Sequence, residues 1–448
     1  MTGLISATIN HFLFIGVWLL IPLFIEVLPI CWTYLRFVSQ WAIEKIRPSQ
    51  QATIKFWPII SVVVPVYNSA DTLVACIDSI MTGTYPVDKI KVTLVNNKST
   101  DNSFEVFQQL QEKYPSANMV WMEAAQGKSH ALNMALYNTT GNYFIHIDSD
   151  GVLDKNALRN MVYQFEMEPD TVALTGAILT QPSLMAHRGV KRLEQLLEYH
   201  EYASAFLVSR NAEARSNTMF TMSGAFSGFR RSKIAETFMF SSDTVGEDTH
   251  MTFQMRQKGQ VKLAKNAIFY VEPIEDFNAL YRQRQRWQLG EMEVAHIFEP
   301  KRLLSFKHLT TNFMVRRLLI DHTLLFPRLI WLFAPMVLVV NGFSPAMLAL
   351  IYIAMYLMYV FAGAIYFLLA QVYLRPFPEA FACYVKTWYV TLLLPAYKFL
   401  LSWVLLLALS NRSKSRKWQG RGIRDELSAI RETIRRDTKH IIKSEESK

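Results

Sequence analysis

Residues 59–81 read IISVVVPVYNSADTLVACIDSIM, a β-branched run followed at once by a helical pattern, and that pairing decides the fold. Residues 59–66 carry almost no polar alternation, so they read as a strand buried on both faces, and residues 69–81 read as the helix that follows. The unit then repeats as strand 91–95, helix 101–114, strand 119–122, helix 129–137, strand 143–147 and helix 155–168. Strands alternating with helices predict an α/β domain over residues 54–298, built on a mainly parallel sheet with helices on both faces.

Such sheets bind ligands beyond the carboxyl ends of their strands, and the polar motifs of this chain fall there. Pro65-Val66-Tyr67-Asn68 ends the first strand, Asn96-Asn97-Lys98-Ser99-Thr100-Asp101 the second and Asp148-Ser149-Asp150 the fourth. At a strand end Asp148 and Asp150 can project to one side. Hard carboxylate oxygens suit Mg²⁺ or Mn²⁺, which would bridge to a diphosphate and neutralise the charge that builds on it. Acidic turns are also common without a metal.

Lys128, in Gln126-Gly127-Lys128-Ser129 before a helix, can reach a diphosphate or base, or can be a solvated lysine at a helix start. Glu247-Asp248 opens a helical stretch over 248–257, where the helix dipole keeps a carboxylate ionised. Asp248 can then accept the proton of an incoming hydroxyl; the bland reading is a helix cap. On a helix through 280–294, Gln283, Arg286 and Trp287 lie at i, i+3 and i+4 and share a face. Arg286 can meet a departing diphosphate and Trp287 can form an apolar floor under an acceptor sugar. An interfacial helix explains the arginines but not the glutamine. The stretch 221–231, TMSGAFSGFRR, places small residues including Ser223 and Gly224 where a backbone must approach closely, as an acceptor-side wall or a tight turn. A metal-diphosphate clamp, a carboxylate base and a cation-aromatic floor are the parts that move a sugar from a nucleotide donor to a hydroxyl. Pro65, Tyr67, Asn68, Asn97, Asp101, Lys128, Asp148 and Arg286 fall on the donor side, and Ser223, Gly224, Gln283 and Trp287 on the acceptor side.

The 448 residues are 51% hydrophobic, with the apolar residues concentrated at the two ends. Residues 12–38 are long and apolar enough to cross a bilayer. No basic region precedes them and no small-residue cleavage site follows, which argues against a signal peptide. Lys45 and Arg47 follow that run and no Lys or Arg precedes it, so the α/β domain is expected in the cytoplasm. Further spans are expected at 324–340, 346–374 and 387–409, with an interfacial amphipathic helix over 299–322 and a basic tail over 411–448. Three later crossings would put that tail outside, against its charge. Either the last block, holding Pro395 and Lys398, does not cross simply, or 313–326 crosses as well; the tail is taken as cytoplasmic and the crossing number stays open. The organisation is thus a membrane segment over 1–45, the α/β domain, the interfacial helix, a membrane region over 323–410 and the tail, a multi-pass protein of the cell membrane. Cys31, Cys76 and Cys383 lie too far apart to suggest a zinc site or disulfide framework. The net charge of +10 sits largely beside membrane segments and in the tail, so anionic membrane lipids are the expected partner and nucleic acid is not.

With these motifs the chain resembles membrane-bound, inverting family 2 glycosyltransferases of GT-A fold, similar to the synthases of hyaluronan, chitin, cellulose and poly-N-acetylglucosamine. It is similar also to the exosortase-associated glycosyltransferase group of Gram-positive bacteria. The resemblance runs from the first membrane span to Trp418-Gln419-Gly420-Arg421. It implies that Asp148 and Asp150 are the Asp-x-Asp that holds nucleotide and metal, that Asp248 of the Glu247-Asp248 pair is the catalytic base, and that Gln283, Arg286 and Trp287 form the Gln-x-x-Arg-Trp motif of processive synthesis. One departure stands out. The family's Asp-Asp-Gly-Ser-Thr-Asp turn is here Asn96-Asn97-Lys98-Ser99-Thr100-Asp101, so an amide replaces the carboxylate that meets the nucleotide base. Asparagine both donates and accepts, so it can still bond a pyrimidine edge. The expected activity is transfer from a nucleotide-diphosphate donor, UDP-sugar foremost, to a growing polysaccharide or lipid-linked acceptor, in a processive manner, with export or accessory membrane proteins as further partners. The alternatives are a non-processive polyprenyl-phosphate glycosyltransferase and a catalytically silent subunit that binds nucleotide or glycan.

Overall fold

The computed structural model describes residues 16–20, 22–46, 54, 56–298, 332–337, 340, 342 and 344–411. After a helix α1 (Leu28–Ile46), the domain begins with β1 (Ile60–Val66), buried along its whole length as its unbroken valine run requires. The helix α2 (Ala70–Met81) buries Leu73, Cys76, Ile77, Ile80 and Met81, the apolar stripe of a helix laid on a sheet. The alternation continues through β2 (Ile90–Asn96), α3 (Ser103–Lys113), β3 (Asn118–Glu123), α4 (Lys128–Asn138), β4 (Tyr143–Ile147), β5 (Gly151–Leu153) and α5 (Ala157–Met167). Each strand and helix expected up to residue 168 is present, with ends shifted by a few residues.

Beyond α5 come β6 (Thr171–Thr180), α6 (Gly189–Tyr202) running through a π-helical stretch (Ala203–Ser209) into α7 (Arg210–Arg215), and β7 (Phe226–Arg230). Then follow α8 (Glu247–Arg256), β8 (Gln260–Val271) and α9 (Phe277–Phe298). The eight strands form one sheet in the order β3-β2-β1-β4-β7-β6-β8-β5. β3, β2, β1 and β4 are mutually parallel; β7 enters antiparallel between β4 and β6, and β8 runs parallel to β6. The sheet is therefore mixed and mostly parallel.

Strand order reverses at β1, with β2 on one side and β4 on the other. β4 pairs with β1 only as far as Val63↔His146, whereas β2 follows β1 to Val66↔Asn96. From Pro65 onward the β4 side of β1 is open, and the crevice of an open α/β sheet forms at such a reversal.

The C-terminal helices α10 (Pro345–Leu374), α11 (Pro378–Lys386) and α12 (Val390–Asn411) dock on α6. Tyr199 Oη donates to the Ala380 carbonyl at 2.7 Å, and His200 Nε2 bonds Thr387 Oγ1 at 2.9 Å while its ring stacks on Tyr384. Among the described residues α10 alone is long and apolar enough to cross a membrane. Its Leu350, Ile353, Leu357, Phe361 and Leu368 are exposed, as are Trp32, Leu35 and Ile43 of α1. α10 lies over the stretch 346–374 and α12, with Pro395 inside it, begins at Val390 within the stretch 387–409, so both stretches are helical. The interfacial helix expected over 299–322, the tail beyond 411 and most of the span expected at 324–340 lie outside the described residues, whereas 16–20 and 22–38 of the span expected at 12–38 are described and helical.

Candidate active site

Four segments meet at the crevice through one ammonium group. Lys128 opens α4 and forms an ion pair with Asp148; its Nζ also donates to the Gly224 carbonyl at 2.9 Å and lies 4.0 Å from Glu247 Oε1. Lys128 is thus not a solvated lysine at a helix start. Burial by itself would lower its pKa; Asp148 and Glu247 outweigh that and raise it, with Arg286 opposing. The turn before it is held by Asn97, whose Oδ1 accepts from the Gly127 amide at 2.5 Å, with Gly127 at φ +126°. Beneath it, His146 on β4 bonds the same Gly224 carbonyl through Nε2 at 2.9 Å. A carbonyl only accepts, so Nε2 carries the proton; burial pushes this imidazole down to about 4, keeping it neutral at physiological pH.

Asp148 is fixed on its strand by its amide, which donates to the Ala225 carbonyl at 2.9 Å, and Ser149 Oγ bonds Ser69 Oγ at 2.7 Å, tying the ends of β4 and β1 together. Asp150 is exposed at the crevice edge. The walls around it still desolvate its carboxyl and, with Asp148 beside it, raise its pKa. Among the described residues no group of three or more His, Cys, Asp or Glu side chains could by itself hold a metal ion. Two carboxylates fit a small hard cation that arrives with a diphosphate and keeps water as its remaining ligands.

Glu247 and Asp248 form the first turn of α8. Asp248 is not the cap, since the N-cap is Gly246 and no side chain caps the helix; its Oδ1 accepts from the adjacent Thr249 amide at 2.6 Å within the first turn. The other oxygen, Oδ2, faces Gly224, where an added Cβ would stand 3.1 Å from it. Gly224 is therefore beside this carboxylate, with Ser223 its chain neighbour. Residues 226–230 of the same stretch are not a wall or turn but the central strand β7; Gly228 is small because a Cβ there would meet Met161 Sδ at 2.6 Å. Glu247 is pushed up to about 7 by burial, then by the Asp248 charge, with Lys128 opposing.

The helix α9 is pinned to the loop that presents this acidic pair. Gly290 and Gly246 touch backbone to backbone: a Cβ on Gly290 would lie 2.8 Å from Gly246 Cα. Glu293 Oε2 accepts from the Val245 amide at 3.0 Å. Arg286 is exposed, with its charge felt at Lys128. Trp287 is half-buried against Tyr202 and Phe206, and Gln283 Oε1 accepts from Tyr202 Oη at 3.3 Å.

What periodicity missed is Arg284. It pairs with Glu201 at 2.7 Å and stacks on Trp287 with its guanidinium carbon 4.5 Å from the ring centroid. Glu201 also accepts from Tyr397 Oη of α12 at 3.4 Å. The motif helix, α6 and a C-terminal helix thus share one buried charge pair.

On the opposite side, Asn68 Oδ1 accepts from the Thr100 amide at 2.8 Å. Asp101 accepts from the Ala70 amide at 2.9 Å and from Ser103 Oγ at 2.6 Å; desolvation would raise its pKa, but these hydrogen bonds lower it. These side chains shape the loops as well as facing the crevice, while Tyr67 is exposed beside them. Asn96 Nδ2 donates to both oxygens of Glu123 at 3.0 and 2.9 Å, so a carboxylate does stand near the asparagine pair, supplied by β3. Lys98 sits at φ +65°, the left-handed region that suits glycine. Lys98→Gly is expected to raise stability by about 0.5–1 kcal/mol, the relief of that conformation less glycine's extra unfolded entropy, measured by denaturant midpoint in detergent. An unchanged or lower midpoint would mean that the lysine side chain contributes more than its backbone conformation takes away.

The fold and this crevice define a GT-A glycosyltransferase domain, and residues 61–238 match the model of glycosyl transferase family 2, so the chain carries a domain of that family. It is 24% identical over 229 residues to the poly-beta-1,6-N-acetyl-D-glucosamine synthase of Staphylococcus aureus (strain MSSA476), covering 51% of this chain and 53% of that protein. The synthase of the same name from Staphylococcus epidermidis is 25% identical over 236 residues, 52% of this chain and 55% of its own. The chain spans about half the length of the curated relatives it matches. Among solved structures, the mannosyltransferase PcManGT from Pyrobaculum calidifontis, in complex with GDP-Man and Mn²⁺, superposes with a TM-score of 0.54 at 18% identity, over 77% of this chain and 95% of that one. At that identity the likeness is one of fold.

Proposed function

We propose that this protein is a metal-dependent, inverting glycosyltransferase of the cell membrane that moves a sugar from a nucleotide-diphosphate donor, UDP-sugar foremost, to a growing polysaccharide or lipid-linked acceptor on the cytoplasmic side. The observation that carries the reading is the gathering of Asp148, Gly224 and Glu247 around Lys128 at the strand-order reversal, with Arg286 facing it. The staphylococcal relatives are poly-beta-1,6-N-acetyl-D-glucosamine synthases, which supports a glycan acceptor here. Asp148 and Asp150 would hold Mg²⁺ or Mn²⁺, which when bound offsets negative charge on the diphosphate.

The chain's own groups account for the remaining steps. Pro65, Tyr67, Asn68, Asn97 and Asp101 frame the nucleoside end of the crevice, with Glu123 behind Asn96. Lys128 and Arg286 face the diphosphate, where the electron pair of the breaking anomeric C–O bond goes. The acceptor hydroxyl, resting against Ser223 and Gly224 with Trp287 as floor, attacks the anomeric carbon from the opposite side, and Asp248 Oδ2 takes its proton. Processive extension is part of the proposal. It is supported by α9 being fixed at once to the acidic loop, to α6 and to α12, which keeps the acceptor floor in register with the base. Incubating membranes that contain the protein with radiolabelled UDP- and GDP-sugars, then sizing the product, tests the reading. Labelled polymer from a UDP-sugar supports it, single additions remove processivity, and no transfer from any donor removes the enzyme.

Glu247 gives the free protein a pH signature. Its folded-state pKa, about 7, lies above the 4.5 of an unperturbed glutamate, so the folded state holds the extra proton between those values. Stability is expected to fall as pH rises from about 4.5 to about 7, by on the order of 2 kcal/mol, and to be level above that. Denaturant midpoints at pH 5 and pH 8 read the difference, and Glu247→Gln should abolish it; a slope that persists in the variant assigns it to other groups.

A further inference from the structure

A cavity of about 230 Å³ is lined by β6, β8, α1, the π-helical stretch, α7 and the last turn of α10. Its two ends differ in chemistry. Phe37 of α1, with Val372 and Phe377 at the end of α10, make an apolar wall, while Asn211, Arg215 and Lys265 make a polar one. Among the described residues no carboxylate lines it. Arg215 is preorganised: its Nε donates to Asn211 Oδ1 at 2.8 Å, one η nitrogen donates to Gln40, and its guanidinium carbon lies 5.7 Å from the Phe37 ring centroid. A third cation, Arg36, is tied to Ser216, the next residue along from Arg215, at 3.3 Å.

The depth of the cavity identifies its occupant. Among the described residues α10 is the helix long and apolar enough to cross a bilayer, and its residues lining the cavity, Val372 and Tyr373, fall in its last turn, where such a helix leaves the hydrocarbon. Above that level Leu368 of α10 and Trp32 and Leu35 of α1 are exposed apolar side chains. A ligand here meets cations at headgroup depth and hydrocarbon contacts beyond, which is the chemistry of an anionic amphiphile. We propose that the cavity is a specific seat for an anionic glycerophospholipid, its phosphate on Arg215 and Lys265 and its acyl chains along α1 and α10. The site is separate from the transfer chemistry; it rests on the membrane location in that reading and on no catalytic residue.

Full-length protein is reconstituted into nanodiscs of equal phosphatidylglycerol and phosphatidylcholine and released into native mass spectrometry, where retained lipids are counted. The wild type is expected to keep phosphatidylglycerol at least fivefold over phosphatidylcholine. Arg215→Gln with Lys265→Gln, which keeps hydrogen-bonding groups in place, should bring the two to parity. If the double variant does not fold, Lys265→Gln alone, at an exposed side chain, should still halve the preference. Equal retention of both lipids by the wild type, or an undiminished preference in the variants, overturns the proposal. So does displacement of the lipid by millimolar inorganic phosphate, which marks a plain anion site.

Discussion

Asp248→Asn is expected to lower the turnover of sugar transfer by about 10²–10⁴, the range general-base catalysis contributes. The substitution separates the two roles of this carboxylate. The Oδ1 position, which takes the Thr249 amide at 2.6 Å, survives as the amide oxygen of asparagine, so this first-turn bond of α8 is kept. What is lost is the capacity of the atom facing Gly224 to accept a proton. Donor affinity should change little, because Lys128 and Asp148 are untouched, so the loss appears in kcat and not in KM. The measurement is label transfer from nucleotide-sugar to acceptor alongside donor binding by the same preparation. Turnover within tenfold of wild type would remove Asp248 from the role of base, and Glu247, which already holds a proton near neutrality when free, would be the group to examine next.

The parts of this site readable from sequence are those whose meaning is local. Residues 59–66 and 143–147 could be read as buried strands because a β-branched run without alternation has few other uses, and Asp148 and Asp150 then fell at a strand end without knowledge of the fold. The antiparallel strand β7 could not be reached that way. Its sequence, FSGFR, is short and glycine-bearing, and it is a strand because β4 and β6 pair with it from either side. Lys128 had two readings because a lysine before a helix is ordinary; only the arrival of Gly224 and Glu247 from distant segments decides between them. The same limit hid Glu123, whose relation to Asn96 is a cross-strand one between β2 and β3.

Arg284 is the clearest instance. The spacing of Gln283, Arg286 and Trp287 on one helical face singles out those three and gives no role to the arginine between them. Its side chain is only 11% exposed, and that of its partner Glu201 18%. Burial would favour loss of the proton, but Glu201 more than compensates and the guanidinium stays charged. A helical wheel cannot report this, because it contains no information about α6.

Arg284→Met should therefore destabilise the protein by about 2–4 kcal/mol, since it takes the cation away from the part-buried Glu201 carboxylate and leaves Tyr397 Oη as its hydrogen-bond donor among the described residues. The neutral, similarly long methionine keeps the apolar volume over Trp287 while removing the charge. Most of the loss belongs to the stranded carboxylate and not to the pair's net worth, so Glu201→Gln in the same chain should restore at least half of it. Denaturant midpoints of wild type, both single variants and the double variant in detergent close the cycle. The acceptor side gives a second readout: with the cation gone from 4.5 Å above the Trp287 ring, the indole loses one of the groups holding its plane, and acceptor KM should rise severalfold while donor KM does not. A loss below 1 kcal/mol, or an equal rise in both constants, would mean that the charge pair neither holds α9 to α6 nor orients the acceptor floor.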